Sequence, residues 1–421
     1  MYIKYILELI KRRLVISYSI GNVLNTVSML LLLPTFLSID PLGGGRGASG
    51  LLASQLAGVL ATYSFPIILP RILKDLDFSQ YSALIAKVLF FQVAVGLGSI
   101  FLLICIDPSR INSVQAISAF IIGYSAVLQW QWFHIGRDSG VVQAILLIVS
   151  RVTLIFIEIF AILKFPLIFN VVDINFGMLA CIAILPVYST AQIFLCKKII
   201  QNQALNSFGA SFWNEIRLGR DLFVSSLLSS VYLLGPSSIV AMVNPSHLVM
   251  LQQFDRLRMS ASNMVAILLN SIYPTLIKYG ANELTKKFII TQRKIVLPLA
   301  FVSIILIPLS LIVPQSEFWL LTHLHLSLSA IFLGGSAAIA ASASNTIAMT
   351  FLHPLNNDKS YRSAIFFGAV FFVLSVFFSK FLIGNMWQFL MMSAAFAENC
   401  IMLLLWKRAR FLISANGRLD E

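Results

Sequence analysis

Apolar stretches of about 20 residues, the length a helix needs to cross a hydrocarbon core, recur along this 421-residue chain with hardly a charge inside them. In lipid a helix satisfies every backbone N–H and C=O within its own segment, so such runs have little structural freedom. Twelve spans are expected, near 14–38, 50–70, 87–106, 114–134, 141–163, 174–195, 222–243, 248–276, 295–313, 327–351, 364–383 and 386–406. Composition excludes the soluble reading. Apolar residues make up 58% and charged ones 11%, against about 45–50% and about 25% in soluble domains. The fold class is all-α, a polytopic membrane protein.

The net charge of +13 is a topological signal, not a nucleic-acid footprint, because the basic residues sit between apolar segments and not on one soluble face. With the N-terminus inside, 23 of the 30 Lys and Arg residues fall in cytoplasmic segments. Arg46, Arg110, Lys164 and Lys380 fall outside, and Arg151, Arg256 and Arg258 lie within spans. That bias satisfies the positive-inside rule with both termini cytoplasmic, and an odd number of spans would destroy it. Lys11, Arg12 and Arg13 precede an apolar run too long for a cleavable signal and lacking a small-residue cleavage site, so it reads as the first span. Met1 to Ile10 fits a short interfacial helix. Outer connections are short, including the glycine-rich IDPLGGGRGAS after the first span, and none holds a folded domain. The longest inner segments, 196–221 and 277–294, are amphipathic and basic and are expected to lie along the anionic inner leaflet.

An internal similarity at an offset of 208 residues aligns YSFPIILPR, Tyr63 to Arg71, with LNSIYPTLIK, Leu269 to Lys278. An even number of spans per half gives a parallel repeat. The expected organisation is an N-terminal six-helix bundle over 1–200 and a C-terminal one over 201–421, around a central cavity.

The eighth span carries charge where charge is expensive, about 2.5–3.5 kcal/mol per ionised side chain at the bilayer centre on insertion scales. At 100° per residue Gln252, Asp255, Arg256, Arg258, Ser262, Asn263 and Asn270 share one wall, opposite Phe254, Leu257, Ala261, Met264, Val265 and Leu268. The expectation is a polar wall facing an aqueous, cationic cavity. Asp255 and Arg258 stand at i, i+3 and can pair, which leaves Arg256 for an anion. Arg151 and Glu158 in the fifth span lie seven apart, two turns along one face, and read either as a neutralised pair or as a cavity cation with a titrating carboxylate. Glu398 in the last span fits a proton site or a partner to these cations. Gln129, Trp130, Gln131 and Trp132, at the inner end of the fourth span, form an interfacial aromatic belt or a set of sugar contacts. Asn263 and Asn270 are further candidate sugar contacts.

The four cysteines are dispersed without CxxC spacing, and His323 and His325 fall on different sides of a helix with no third ligand, so no metal or other cofactor is expected. No P-loop, GxSxG or HExxH motif occurs, and an enzyme is not expected.

QWQWFHIGRD (Gln129 to Asp138) followed by a span with Arg151, FDRLRMSASN (Phe254 to Asn263) entering the eighth span, and NSIYP (Asn270 to Pro274) before a basic loop resemble the Wzx-type polysaccharide (O-antigen) flippases. Those proteins fall within the multidrug, oligosaccharidyl-lipid and polysaccharide exporter superfamily. The resemblance, extended by the twelve-span layout to nearly the whole chain, implies a MATE-like pair of bundles in a bacterial inner membrane. It also implies alternating access that moves an undecaprenyl-pyrophosphate-linked oligosaccharide to the outer leaflet, with a polymerase and a chain-length regulator as pathway partners. Arg151, Asp255 and Arg256 match the family's membrane-embedded charged positions; Arg258 and Glu158 are added from the helical faces. Two alternatives stand beside this reading. A cation-coupled multidrug exporter of the same superfamily would rely on embedded carboxylates, and a membrane glycan polymerase or ligase would need a longer outer loop.

Overall fold

The computed structural model describes residues 44–63, 78–106, 219–243, 279–312, 328–379 and 386–417 as continuous stretches, with single positions within 20–31, 65–68, 117–124, 148–159, 217 and 251–276. The described elements are helical. They are α1 (Gly44–Thr62), α2 (Phe78–Ile106), α3 (Arg220–Val243), α4 (Ala281–Thr291), α5 (Leu297–Ile312), α6 (Leu328–Ile347), α7 (Asp358–Ser379) and α8 (Met386–Gly417). Among the described residues, five helical stretches are long and apolar enough to cross a membrane: Arg220–Val240, Ala281–Ile312, Leu328–Leu352, Asp358–Phe377 and Gln388–Ser414. Large apolar side chains such as Phe101, Phe301, Leu311 and Ile312 point out of the protein with 65 to 75% of their surface uncovered. In water such a surface would drive aggregation, whereas in a bilayer it is the lipid-facing one.

The chain divides into two compact units, residues 1–220 and 221–421. In the first, α1 packs on α2. In the second, α6 is the central helix: it lies against both α5 and α8, and α7 packs on the other side of α8. The sequence of α6, LSAIFLGGSAAIAASASNTI, explains its position. Small residues let neighbouring backbones approach closely, which is how helices associate where lipid removes the hydrophobic drive. Gly368 of α7 plays the same part against α8, since a Cβ there would collide with Ile401.

Two expectations are corrected. The glycine-rich segment after the first span is not wholly a loop, because GGRGAS forms the opening turns of α1. Glycine is poor in a helix interior but tolerated at its start, where backbone groups are unsatisfied in any case. From Ala281 onward the basic segment 277–294 is not set apart from the ninth span. From Ala281 its backbone runs through a π-helical turn, Gln292–Val296, into α5 without leaving helical torsions. The charges of Glu283, Lys286, Lys287, Arg293 and Lys294 reported exposure correctly but carried no information about the direction of the axis. Met1 to Ile10 and the connection 314–326 lie outside the described residues.

Candidate functional site

Buried charge marks the site in each unit. In the second unit Asp255 and Arg258 are enclosed, with 0% and 1% of their side-chain surface exposed, and they form an ion pair with Arg258 Nη2 3.0 Å from Asp255 Oδ1. The i, i+3 spacing places the two on one face, so the pairing expected from the sequence forms. The α3 helix completes it. Ser237 Oγ donates to Asp255 Oδ2 at 2.7 Å, and Arg258 Nη2 also donates to the Leu233 carbonyl at 3.1 Å. Leu233 sits four residues before Ser237, so its carbonyl is the natural partner of the Ser237 amide in a regular helix. Arg258 therefore shares that acceptor.

The pair is not fully satisfied. Arg258 Nε and Nη1, and both amide atoms of Gln252 one turn before Asp255, are buried without a hydrogen-bond partner among the described residues. The Phe254 ring lies 5.8 Å from the guanidinium carbon and supplies a partial cation–π contact. Glu398 of α8 is also buried and lies within electrostatic range of Arg258, Tyr232 and Tyr361, without an ion pair at 4.0 Å or less among the described residues. A buried, incompletely engaged guanidinium beside two carboxylates can exchange partners: a proton on either acid, or an arriving anion, changes which group it holds.

The polar wall does not face water at Gln252, Asp255 and Arg258, and Leu251 and Phe254 are as deeply enclosed. Ser262, farther along, is half-buried and donates to the Ala338 carbonyl at 3.4 Å. In the first unit Arg151 and Glu158 are both fully buried on their shared face, and Ser28 Oγ donates to Glu158 Oε1 at 3.3 Å. Arg256, Asn263, Asn270, Gln129, Trp130, Gln131 and Trp132 lie outside the described residues.

A second buried polar cluster escaped the sequence reading. Ser303 of α5 donates to Asn399 Oδ1 at 2.8 Å, Asn399 Nδ2 of α8 donates to Ser336 Oγ at 3.2 Å, and Ser336 of α6 donates to the Ser303 carbonyl at 2.7 Å. This neutral ring ties three helices together. Its one legible signal was Asn399, an amide beside Glu398 in an otherwise apolar span.

No protein-family model matches the chain, and no curated protein matches it. The fold has clear relatives. A crystal structure of a MATE transporter is 13% identical with a TM-score of 0.59, covering 97% of this chain and 96% of that one. An outward-facing multidrug resistance MATE family transporter of the MOP superfamily is 14% identical with a TM-score of 0.58, at the same coverage. DinF-BH, a MATE multidrug transporter, is 16% identical with a TM-score of 0.54, covering 94% of this chain and 95% of that one.

Proposed function

We propose that this protein, which has the fold of the twelve-helix MATE transporters, is a flippase for a lipid-linked oligosaccharide. Its passenger would be an undecaprenyl-pyrophosphate-borne repeat unit of a surface polysaccharide, carried from the inner to the outer leaflet by alternating access. The observation that supports it is the enclosed Arg258, with two guanidinium nitrogens lacking an acceptor among the described residues. Arginine stays protonated and offers a planar fork to diphosphate oxygens, so a lipid diphosphate entering this unit would find donors already desolvated. Asp255 is the internal substitute. It neutralises Arg258 when the passenger is absent and must yield when the passenger arrives, which gives the two states different affinities, as any ligand-driven change requires. Arg256 is assigned to the same anion, and Arg151, enclosed in the first unit, is assigned to the diphosphate as a separate contact in that unit. Gln129, Trp130, Gln131, Trp132, Asn263 and Asn270 are assigned to the sugars.

The test is surface polysaccharide in cells whose own flippase has been replaced by this protein. Arg151→Ala, Arg256→Ala and Arg258→Gln, each confirmed as inserted by immunoblot of membranes, should abolish export. Export equal to wild type in all three would sink the diphosphate role.

A second reading, a cation-coupled multidrug exporter, is favoured by the buried carboxylates Glu158, Asp255 and Glu398 and by the multidrug transporters among its structural neighbours. It predicts resistance to organic cations on expression, lost in Asp255→Asn and retained in Arg151→Ala.

A further inference from the structure

Two π-helical turns interrupt neighbouring helices of the second unit, and the same local chemistry accounts for both. Gln292–Val296 joins α4 to α5, and Ala348–Leu352 ends α6. Each is followed, two residues after its last position, by a proline: Pro298 after Val296 and Pro354 after Leu352. A proline inside a helix lacks the N–H for the fourth carbonyl back, and its ring presses on that carbonyl. Here those carbonyls belong to Lys294 and Thr350, each in the middle of its π-turn. The wider turn makes room for the ring at the cost of one residue inserted into the helix. Leu297 N–H then reaches back five residues to Gln292 O, and His353 N–H to Ala348 O.

The two insertions are matched. Phe288 stacks on Phe351 with ring centroids 4.6 Å apart, and Ser336 Oγ bonds the Ser303 carbonyl at 2.7 Å. Fifteen residues separate Phe288 from Ser303 on one helix, and fifteen separate Ser336 from Phe351 on its antiparallel neighbour. One extra residue on a single helix would rotate every contact beyond it by about 100°. With one on each, the two contacts keep the same spacing along both helices, with Phe288 just before the first π-turn and Phe351 within the second.

The segment beyond the π-turns is a body in its own right. Leu352 to Asn357 closes α6 with a left-handed Asn356 at φ 55, Asn357 N–H to Leu352 O at 2.9 Å and Asn356 N–H to His353 O at 3.0 Å, the paired bonds of a Schellman ending. Buried His353 Nδ1 lies 2.7 Å from Asp358 Oδ1, tying that ending to the start of α7, and Tyr361 packs edge-on to the His353 ring at 5.1 Å. Arg362 pairs with Asp221, which brings in the start of α3.

We propose that the two π-turns are a matched hinge, about which α4, the 353–357 turn and the start of α7 swing as one piece while α5 and the body of α6 stay fixed. Pro298 and Pro354 keep each turn from closing into regular helix. The Phe288–Phe351 stack makes the two tips move together. The hinge does not depend on which passenger the protein carries, so its failure and the failure of the flippase reading are separate results.

Hydrogen exchange on the full chain in lipid nanodiscs tests the flexibility, and residue deletion tests the matching. Amides of 292–297 should exchange at least about tenfold faster than those of the similarly exposed 301–306, and amides of 348–353 at least about tenfold faster than those of the similarly buried 337–342. Equal protection would overturn the hinge. Deleting Ile295 alone, or Ala348 alone, should lower the melting temperature by roughly 5 °C or more, through misplacement of Phe288 against Phe351. Deleting both together with Pro298→Ala and Pro354→Ala, so that regular helix can form, should recover most of that loss and abolish the fast exchange. A double deletion no more stable than the worse single one would show that the two turns are not matched.

Discussion

The second unit buries two polar clusters of opposite character, one closed and one left open. Ser303, Ser336 and Asn399 are neutral, come from three helices, and direct each side-chain bond at another member or at a backbone carbonyl. Gln252, Asp255, Arg258 and Glu398 are as deeply enclosed, yet among the described residues they leave an amide and two guanidinium nitrogens without partners. Packing helices together requires only the first kind. A satisfied network fixes one arrangement, whereas an under-satisfied charged cluster has more than one arrangement of similar energy and answers to whatever completes it. Under the proposed function, the closed cluster is the anchor of the unit and the open one its responsive part.

The largest effect is expected from breaking the open cluster on one side. Arg258→Gln takes the buried cation away from the buried Asp255, and removing one partner of a buried pair costs about 3–5 kcal/mol. Thermal melting in detergent should show that loss. Asp255→Asn combined with Arg258→Gln should restore most of the stability but not export, because the cation is still missing. If the double variant exports normally, the pair is an anchor after all and the contrast collapses.

Asn399→Leu is the counterpart on the closed side. Hydrogen bonds between membrane helices average about 0.6 kcal/mol, with about 1.7 the largest, so melting should fall modestly. Export by the correctly inserted fraction should be unchanged. A variant that melts like wild type but fails to export would move the closed ring to the responsive side.

Glu398→Gln should be smaller still in stability. The carboxylate has no ion pair among the described residues, so neutralising it removes a buried charge without orphaning a partner. Its signature should instead be a changed dependence of export on external pH. An unchanged pH profile would make Glu398 a bystander.

These clusters differed sharply in how legible they were from sequence. The Asp255–Arg258 pair is local, set by helix periodicity and by the cost of charge in lipid, and both can be read from a linear chain. Span limits were legible for the same reason: 222–243 was expected where α3 covers Arg220–Val243, and 327–351 where the sixth helix with its π-turn covers Leu328–Leu352. The Ser303–Ser336–Asn399 ring was not legible. Its members are 33, 63 and 96 residues apart, and single serines in apolar helices carry no distinguishing pattern. The continuation of 281–291 into α5 was missed because a run of charges was read as a boundary, and the π-turn that joins the two has no compositional mark beyond a proline placed after it. The α3 partners of the charged pair were equally invisible, since Ser237, which holds Asp255, and Leu233, which holds Arg258, reach it only once α3 lies beside it.

The mildest change sets a lower bound on all of this. Lys287 and Glu283 form an ion pair at 3.1 Å, at i, i+4 on α4, a helical spacing much like that of Asp255 and Arg258, but both side chains are roughly half exposed. Lys287 Nζ also sits 3.3 Å from the centre of the Tyr279 ring. In water the Coulomb gain is screened and is offset by the ordering of two long side chains, so a pair of this kind stabilises little. Lys287→Gln should leave the melting curve where it is, in low salt and in high. If its effect instead approached that of Arg258→Gln, helical spacing and not burial would govern both pairs, and the enclosed cluster would lose the property that sets it apart.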